Sequence, residues 1–514
     1  MSGGVADRFR QTLAEAIQRL DGAPELAGLR TTLAERAGLL DARMRVAVVG
    51  RICQGKSTLV NALLGKRLTP TGTLELSYSI NHIRYGSPPT MTVHFKDSTS
   101  TSASLEELEK YAARRDDNRE LLSSVKFLDV VSDQPYLVGF DLIDTAGLDS
   151  IWGEDSEGTL EFLQRSRAEV RAETVEASTE ADALLVVMSH RGMAESDQEM
   201  LRTFLGPESA FRSPVTTTAV MTKVEDLWPA NDSPFEAARQ IISTMLTKPG
   251  VREVLFEIQP VCGRLAESAA TLDESDLCDF KTLAGLPVGQ LETALRGADM
   301  FCRPDRGLPL APGRRKQLYD RYTGYGLLIA TRLLRDGVDS VTELRELLDR
   351  HSGLEELRTR LTNHFTHRAD LLKIRITAEL LHQADHRLRR HLSDPDKHRL
   401  DASAALIGAF VGEELGLREL DLLQRVVTGA TKPGERDLDD LLNAIGEHGR
   451  AAHQRLGLPN TASLTELRDR AVELSDRWRL RTELGDRHTA RVLHDRYQNL
   501  IQHIDAARHH LENP

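Results

Sequence analysis

Short apolar runs rich in β-branched residues recur through the first half of the chain, with helical patterns between them. The first run, RVAVVG at 45–50, ends in glycine and has the continuous apolar character of a strand buried on both faces of a parallel sheet. Four similar runs follow, at 136–144, 183–189, 215–222 and 254–261. Because strands and helices alternate, the pattern predicts a doubly wound, mostly parallel α/β domain over residues 43–270.

Two further segments predict strands at the edge of this sheet. They are SINHIRYG (79–86) and MTVHF (91–95), and GSPP lies between them. Since glycine, serine and proline favour turns, the pattern predicts that the two strands form a hairpin.

Both ends of the chain show the three- and four-residue apolar spacing of amphipathic helices. Phe9, Leu13, Ile17 and Leu20 form one stripe near the start. The later stripes include one of seven turns from Phe365 to Leu392, one from Leu464 to Trp478 behind a capping-box pattern of Ser463 and Glu466, and one from Leu493 to Ile504. The predicted turns between them are DPDK (394–397), TKPGE (431–435) and GLPN (457–460).

These stripes predict N-terminal neck helices at 1–42 and a helical neck and trunk bundle at 271–514. The N-terminal helices have too few apolar residues to form a core of their own. We therefore expect them to pack on helices beyond about residue 310, so that the α/β domain is inserted into an elongated bundle.

Composition and charge argue against several classes of protein. The 514 residues carry a net charge of −12, which disfavours non-specific binding of nucleic acid, and we expect no nucleic-acid partner. No apolar run reaches the ~18 residues that a membrane span needs, and the first residues lack the apolar core of a signal peptide. The four cysteines show no metal-ligand pairing such as C-x-x-C. These features predict a cytoplasmic protein.

The strongest chemical signal is GRICQGKS at 50–57, which fits the phosphate-binding pattern G-x-x-x-x-G-K-[ST]. In such a loop, backbone N–H groups and the N-terminus of the following helix surround the phosphates. Lys56 is expected to reach the β- and γ-phosphates, and Ser57 to bind Mg²⁺. The remaining predicted contacts are Gly50, Arg51, Cys53, Gln54, Gly55 and Thr58. The alternative is a glycine-rich turn with a surface lysine.

A second motif, DTAG at 144–147, follows the second apolar run. In GTPases, an aspartate and a glycine in this pattern hold the Mg²⁺ shell and sense the γ-phosphate. Alone the pattern D-x-x-G is common, but its position at a strand end favours these roles for Asp144 and Gly147.

A third motif, TKVED at 222–226, follows a later strand and approximates the guanine-reading pattern [NT]-K-x-D. There the carboxylate accepts hydrogen bonds from the base, and the lysine covers it. Glu225 takes the aspartate position and Asp226 follows, so either residue is a candidate, together with Thr222 and Lys223. Cys262–Gly263, after the last strand, takes the position at which the backbone of GTPases often contacts the guanine oxygen. The alternative is a cluster of charges at a strand end.

With these motifs in order, the chain resembles the dynamin superfamily, and specifically the bacterial dynamin-like proteins. Four segments carry the resemblance: GKSTLVNALLG (55–65), TPTGTLELSYSINHIRYG (69–86), MSHRGMAESDQEMLRTFL (188–205) and RYTGYGLLIATRLLRDGVDSVTELRELLDRHSGLEELRTRL (321–361). The last segment is most similar to the isoniazid-inducible actinobacterial branch. The similarity covers roughly 1–380, and the C-terminal third rests mainly on its helical pattern.

The resemblance implies a P-loop GTPase domain on a helical neck and trunk, with GTP or GDP and Mg²⁺ as ligands. It implies hydrolysis of GTP to GDP and phosphate, with Lys56, Ser57, Ser77, Asp144 and Gly147 as the catalytic set and Ser57, Ser77 and Asp144 as metal ligands. It further implies dimerisation across the nucleotide site, as a homodimer or with a paralogous dynamin-like protein. Peripheral lipid contact at the inner face of the cell membrane would serve remodelling or tethering.

Two positions depart from the family pattern. Cys53 stands where many dynamins have a serine that organises the catalytic centre, and Ser77 stands where they have a threonine. A thiol is a weaker hydrogen-bond partner than a hydroxyl, and serine lacks the methyl group that restricts threonine. We therefore expect binding to persist and turnover to be slow. The alternative function is a slow GTPase that acts as a nucleotide-dependent scaffold or regulatory partner of a paralogue, and a weaker one is an ATP-using protein.

For three further features, the sequence leaves two interpretations open. Arg51 either supplies charge to the phosphates or faces a partner. The apolar cluster Leu406, Ile407, Phe410 and Val411 is either a membrane-contacting tip or ordinary helix core. The basic segment 386–399 either meets anionic lipid or is a solvated helix end.

Overall fold

A computed structural model describes residues 4–50, 54–65, 80–112, 119–144, 181–192, 214–248, 250–304, 307–481 and 487–512. Within them, nine strands form a single sheet in the order β4-β3-β5-β2-β6-β1-β7-β8-β9. The strands are β1 (Met44–Gly50), β2 (Ile80–Tyr85), β3 (Thr90–Phe95), β4 (Ser100–Ala103), β5 (Val125–Ser132), β6 (Phe140–Asp144), β7 (Ala183–Ser189), β8 (Thr217–Thr222) and β9 (Ile258–Pro260).

Five neighbouring strands, β6, β1, β7, β8 and β9, run parallel and correspond to the five apolar runs. The α/β fold with a mostly parallel sheet is therefore confirmed. Three of the five strands are shorter than their apolar runs. Residues 135–138 and 214–216 form 3-10 turns ahead of β6 and β8, and residues 251–254 form a short helix ahead of β9.

Strand β1 is buried on both faces, which explains its unbroken apolar sequence. Val46 and Val48 belong to a cluster with Leu59 and Leu63 of the helix that follows the P-loop. Their neighbours in β1, Ala47 and Val49, join a second cluster with Ile242 on the opposite face. The sheet therefore lies between two helical layers, as in other doubly wound domains.

The predicted hairpin of β2 and β3 is wrong, because β5 lies between these two strands. β2 pairs with β5 in parallel, and β3 pairs with β5 antiparallel. The true hairpin joins β3 to β4. Val125–Ser132 places buried side chains, among them Leu128 and Val130, in the same cluster as Val46 and Val48, and burial of these side chains stabilises its position between β2 and β3.

Helices make up most of the remaining described chain. The α-helices are α1 (Val5–Arg19), α2 (Ala27–Leu39), α3 (Lys56–Leu64), α4 (Leu108–Ala112), α5 (Arg119–Ser124), α6 (Pro234–Leu246), α7 (Val251–Val254), α8 (Gly263–Ala270), α9 (Glu274–Ala284), α10 (Val288–Leu295), α11 (Ala298–Cys302), α12 (Pro312–Arg335), α13 (Val341–His351), α14 (Leu354–Leu361), α15 (Ala369–Leu388), α16 (Asp394–Glu413), α17 (Leu415–Val427), α18 (Glu435–Ile445), α19 (Ala452–Arg455), α20 (Leu464–Arg481) and α21 (Arg487–Glu512). Short 3-10 helices occupy Pro24–Leu26, Leu105–Glu107, Pro135–Val138, Pro214–Thr216, Val224–Leu227 and Arg389–His391.

The N-terminal helices α1 and α2 pack on the distant helices α15 and α16. Phe9, Leu13 and Leu33 share one buried cluster with Leu381 and Ile407. The α/β sheet lies between these segments in the chain, so it is inserted into the helical part, as the apolar stripes predict. The exact domain limits of 42/43 and 270/271 remain predictions.

The seven-turn stripe from Phe365 to Leu392 is not one helix. Residues Thr362–Thr366 form a π-turn, and α15 begins only at Ala369. The interruption turns His364 into the core, where its Nε2 lies 2.6 Å from the carbonyl oxygen of Val215, directly before β8. The turn therefore anchors the helical region to the sheet. Likewise DPDK opens α16 instead of forming a turn, because Ser393 caps the helix by accepting a bond from the Asp396 N–H.

The two candidate membrane segments have structural partners. Ile407 is buried, and the ring of Phe410 lies 5.2 Å from that of Phe9, so the apolar cluster forms helix core beneath α1. In the basic segment, Arg389 pairs with Asp385 and Asp401. Among the residues that the structure describes, no helix has the length and apolar character needed to cross a membrane.

Candidate functional site

The predicted site residues meet at the carboxyl edge of the parallel strands. β1 ends at Gly50, where a Cβ atom would lie 2.6 Å from the carbonyl oxygen of Val187 in β7, so only glycine lets the strands stay this close. Gly55, at the start of α3, has a φ of 88°, in the left-handed region that favours glycine. These two glycines fix both ends of the loop and aim the N-terminus of α3 across the sheet edge, where it can face an anion.

Lys56 and Asp144 form a buried ion pair at this edge. The lysine Nζ lies 2.5 Å from Oδ1 of Asp144, and the carboxylate is 0% exposed. Asn81 of β2, also buried, donates from Nδ2 to the other oxygen of Asp144 at 3.3 Å. The charge of the lysine is thus balanced inside the protein, and the aspartate has polar contacts on both oxygens.

Asn81 is a site residue that the sequence motifs did not reveal. It faces Asp144 because β2 and β6 run antiparallel with these two residues in register. The available signal for Asn81 was a polar amide within a predicted strand. Nothing in the local sequence indicated which strand would lie beside it.

The P-loop also contacts β8. The Thr222 hydroxyl lies within hydrogen-bonding distance of two carbonyl oxygens, that of Gln54 and that of Met188, the latter at 3.0 Å. A Cβ atom on Gly263 would lie 3.5 Å from Thr58 of α3. The loop and the strand ends that carry the predicted base-reading residues are therefore one continuous surface.

Glu225 occupies the inner side of the base-reading segment. Lys223, with a φ of 58°, starts a 3-10 turn of Val224–Leu227, which directs Glu225 inward. The Glu225 side chain is 5% exposed, and its Oε2 has no hydrogen-bond partner. The carboxylate accepts from its own backbone N–H and from the S–H of Cys262, which lies at the start of α8 just after β9. Burial raises the pKa of Glu225 above its usual range, and burial together with this carboxylate raises the pKa of the Cys262 thiol.

Asp226, the other candidate, is exposed to solvent. The structure thus places Glu225, and not Asp226, between β8 and β9 beside Cys262. The same segment packs against α12, and Trp228 contacts the cluster of buried side chains that includes Tyr322. The base-reading segment is therefore supported by the helical region.

Four predicted residues, Arg51, Cys53, Ser77 and Gly147, lie outside the described residues. Those that the structure describes all lie at one edge of the sheet: Gly50, Gln54, Gly55, Lys56, Ser57, Thr58, Asp144, Thr222, Lys223, Glu225, Cys262 and Gly263, with Asp226 on the outer side. In the described residues, no group of three or more His, Cys, Asp or Glu side chains could hold a metal ion alone. Ser57 and Asp144 do offer the oxygen ligands that Mg²⁺ prefers.

Fold and motif together indicate a P-loop nucleotide-binding protein: a mostly parallel α/β sheet with the GRICQGKS motif at the end of β1 and the TKVED segment at the end of β8, two strands away. Residues 46–224 match the model of the dynamin family. The chain is 27% identical to the isoniazid-induced protein IniC of Mycobacterium tuberculosis over 495 residues, which cover 95% of this chain and 96% of that protein. The match identifies a dynamin-family domain within the α/β part of the chain, and the chain as a whole is similar to a bacterial relative.

Two other similarities are weaker, the first because it covers a short stretch and the second because the two structures superpose poorly. Dynamin-like protein 2 of Campylobacter jejuni is 30% identical over 122 residues, which are 24% of this chain and 19% of that protein. A solved structure of an oligomerised bacterial dynamin pair, described as a mechanism for long-range sensing and tethering of membranes, aligns with 98% of this chain and 91% of its own. Its identity is 14% and its TM-score 0.32, which is too low to support a detailed comparison.

Proposed function

We propose that this protein binds GTP with Mg²⁺, hydrolyses it slowly, and couples nucleotide-dependent dimerisation to membrane remodelling or tethering. The observation that carries the proposal is the meeting of a P-loop lysine, a buried aspartate and an inward-facing glutamate at one sheet edge. In the proposal, the lysine serves the phosphates, the aspartate serves the metal and the glutamate serves the base.

At the phosphate end, Lys56 leaves its pairing with Asp144 to contact the β- and γ-phosphates. Ser57, Ser77 and Asp144 are the proposed Mg²⁺ ligands, and the bound ion would neutralise phosphate charge. Ser77 would also position the attacking water, and the Gly147 amide would sense the γ-phosphate. The protein's task in such a reaction is positioning and charge stabilisation, so small changes in geometry alter the rate strongly.

At the base end, we assign guanine recognition to Glu225. Its unpaired Oε2 is a buried acceptor, and guanine presents a ring N–H and an amino group that donate hydrogen bonds. Burial raises the pKa of this carboxyl, and the S–H of Cys262 offsets part of that rise. Lys223 would cover the base, and Cys262–Gly263 would contact its oxygen.

The membrane and dimer parts of the proposal are supported by the dynamin-family match of residues 46–224. For this chain we propose a homodimer, or a hetero-oligomer with a paralogous dynamin-like protein, that contacts lipid peripherally from the cytoplasm.

The test is GTP hydrolysis by the full chain as a function of protein concentration, with and without liposomes of anionic lipid. We expect the rate per molecule to rise with concentration, as dimerisation completes the site, and to respond to liposomes. A slow rate that is independent of concentration, in a protein that still binds GTP but no lipid, would contradict the mechanoenzyme and favour the scaffold or regulatory partner.

A further inference from the structure

A cavity of about 310 Å³ lies in the helical trunk, outside the nucleotide site. Six segments border it: the start of α1, the segment leading into α15, the region where α16 meets α17, the end of α18, the segment from Arg450 into α19, and one face of α21. Its volume falls at the lower limit of small-molecule sites, which span ~300–1,000 Å³. It is therefore large enough for a small phosphorylated group but not for a large ligand.

Four guanidinium groups from different parts of the trunk surround this cavity: Arg368, Arg450, Arg455 and Arg496. Three carboxylates, Asp370, Glu414 and Glu419, also border it. Whether the cavity attracts an anion therefore depends on which of these charges already have partners.

Two of the arginines are neutralised within the protein. Arg496 forms a two-point contact with Glu419, with Nη2 and Oε2 2.5 Å apart. Arg368 pairs with Glu447, which lies behind the cavity wall. Among the carboxylates, Glu414 forms an ion pair with Arg8 of α1.

The other two arginines lack a close carboxylate. Arg455, which is 8% exposed, donates to the carbonyl oxygen of Ala444 at 2.7 Å, and its nearest carboxylate oxygen, on Glu419, is 3.9 Å away. That carboxylate already serves Arg496. Arg450 donates to the carbonyl oxygen of His367 at 3.2 Å, and among the described residues it has no ion pair. Asp370, exposed at the rim, is the one carboxylate of the lining without a described ion pair.

The neighbouring positive charges lower the pKa of one of these arginines. Burial, followed by repulsion from Arg496, lowers the pKa of Arg455 to about 10, and Arg450 and Arg368 act in the same direction. Since Glu419 offsets this only in part, an anion in the cavity would relieve the repulsion. Such relief is a source of binding free energy that does not need new packing.

We propose that this trunk pocket is a binding site for a phosphate-bearing anion, held chiefly by Arg455 and Arg450 with support from Arg496 and Arg368. Guanidinium groups bind phosphate oxygens in pairs through their planar fork. Several guanidiniums around one cavity match a group with several oxygens and more than one charge, such as a phosphate monoester or diphosphate, better than a single carboxylate. The group is supplied either by a soluble metabolite or by the headgroup of an anionic lipid.

The first test measures binding of inorganic pyrophosphate by calorimetry. A full-length Lys56→Ala chain, checked for folding by circular dichroism, removes the contribution of the P-loop. We expect binding that is weakened at least ~10-fold by Arg450→Glu and by Arg455→Gln. Arg436→Gln, on the exposed face of α18, is the matched control and should bind normally. Arg450 is exposed, so its variant should fold even if Arg455→Gln does not.

The same comparison in the chain with Lys56 intact covers the possibility that Lys56→Ala fails to fold, since Arg450→Glu should then remove one of two binding events. The second test uses vesicles of phosphatidylglycerol in a sedimentation assay. Vesicle binding that depends on Arg450 and Arg455 identifies a lipid headgroup as the source, and pyrophosphate binding alone identifies a soluble one. If neither probe binds, or if Arg450→Glu and Arg455→Gln bind both probes as Arg436→Gln does, the proposal is wrong.

Discussion

The phosphate end and the base end of the nucleotide site handle their buried charges differently. At the phosphate end, Lys56 and Asp144 neutralise each other and Asn81 supplies a further hydrogen bond. At the base end, Glu225 is buried with Oε2 unpaired, and its carboxylate has only its own backbone N–H and the thiol of Cys262 as donors. The first arrangement is stable without ligand, whereas the second carries an uncompensated cost that a donor-bearing base can remove.

This difference assigns a separate role to each end. A nucleotide can bind Lys56 only if the Lys56–Asp144 ion pair breaks. Breaking the pair costs free energy, which reduces the net affinity for the phosphates. At Glu225 no internal partner is lost, so hydrogen bonds to the base appear directly as affinity. We therefore expect the phosphate end to provide most of the binding and the base end to provide selectivity.

The largest effect is expected from Lys56→Ala. It removes the charge that contacts the phosphates, and GTP affinity should fall at least ~100-fold. It also leaves Asp144 buried without its cation, so the melting temperature should fall as well. Calorimetric titration with GTP and thermal unfolding measure both effects. Lys248→Ala, an exposed lysine of the same domain, is the control, and retained GTP affinity in Lys56→Ala would show that the P-loop assignment is wrong.

Glu225→Gln should affect the base end alone. The amide keeps one acceptor but presents an N–H₂ group towards the donors of guanine, so GTP affinity should fall ~10- to 100-fold. Xanthine carries a carbonyl where guanine has its amino group, and it can accept from the new amide. Affinity for xanthosine triphosphate should therefore rise relative to GTP. Parallel titrations with the two nucleotides test this, and an unchanged ratio would exclude Glu225 from base recognition.

The acidity of Glu225 predicts a pH dependence. Because burial raises its pKa in the folded protein, protonation begins at a higher pH than for an ordinary glutamate. The protonated carboxyl accepts poorly, so GTP affinity should decline as the pH falls from 8 towards 5, by several-fold beyond the effect of phosphate protonation. Glu225→Gln shares the phosphate effect but lacks the carboxyl, and its affinity should fall less. Equal pH profiles in the two proteins would contradict the assignment.

The smallest effect is expected from Asp226→Asn. This side chain is exposed on the outer side of the turn, so its charge is screened by solvent. GTP affinity should change less than ~3-fold, and the ratio of GTP to xanthosine triphosphate should stay constant. A loss as large as that of Glu225→Gln would mean that the segment shifts on binding and presents Asp226 to the base.

Sequence motifs predicted the parallel core, and they placed most of the candidate site residues at strand ends, because both depend on local signals. The apolar runs fix the strands β1, β6, β7, β8 and β9, and the loops after them necessarily meet at one edge. The choice between Glu225 and Asp226 needed the structure, since it depends on a one-residue change in direction at Lys223, whose positive φ no local signal indicated.

Features that depend on distant pairing were missed. The sequence pattern placed β2 beside β3, because it contains no signal that the later segment Val125–Ser132 separates them. Asn81 was overlooked for the same reason, as its role follows from the register with β6. The trunk pocket combines six segments, most of which lie far apart in the chain, so no local pattern could reveal it.

The most direct test of the central assignment is the ratio of GTP to ATP affinity, measured by calorimetry on the full chain. We expect GTP to bind at least ~100-fold more tightly than ATP, because adenine offers no pair of donors to Glu225. We also expect Glu225→Gln to reduce that ratio at least ~10-fold while Asp226→Asn preserves it. Equal affinity for the two nucleotides in the unmodified protein, or a ratio that survives Glu225→Gln, would contradict guanine recognition by Glu225.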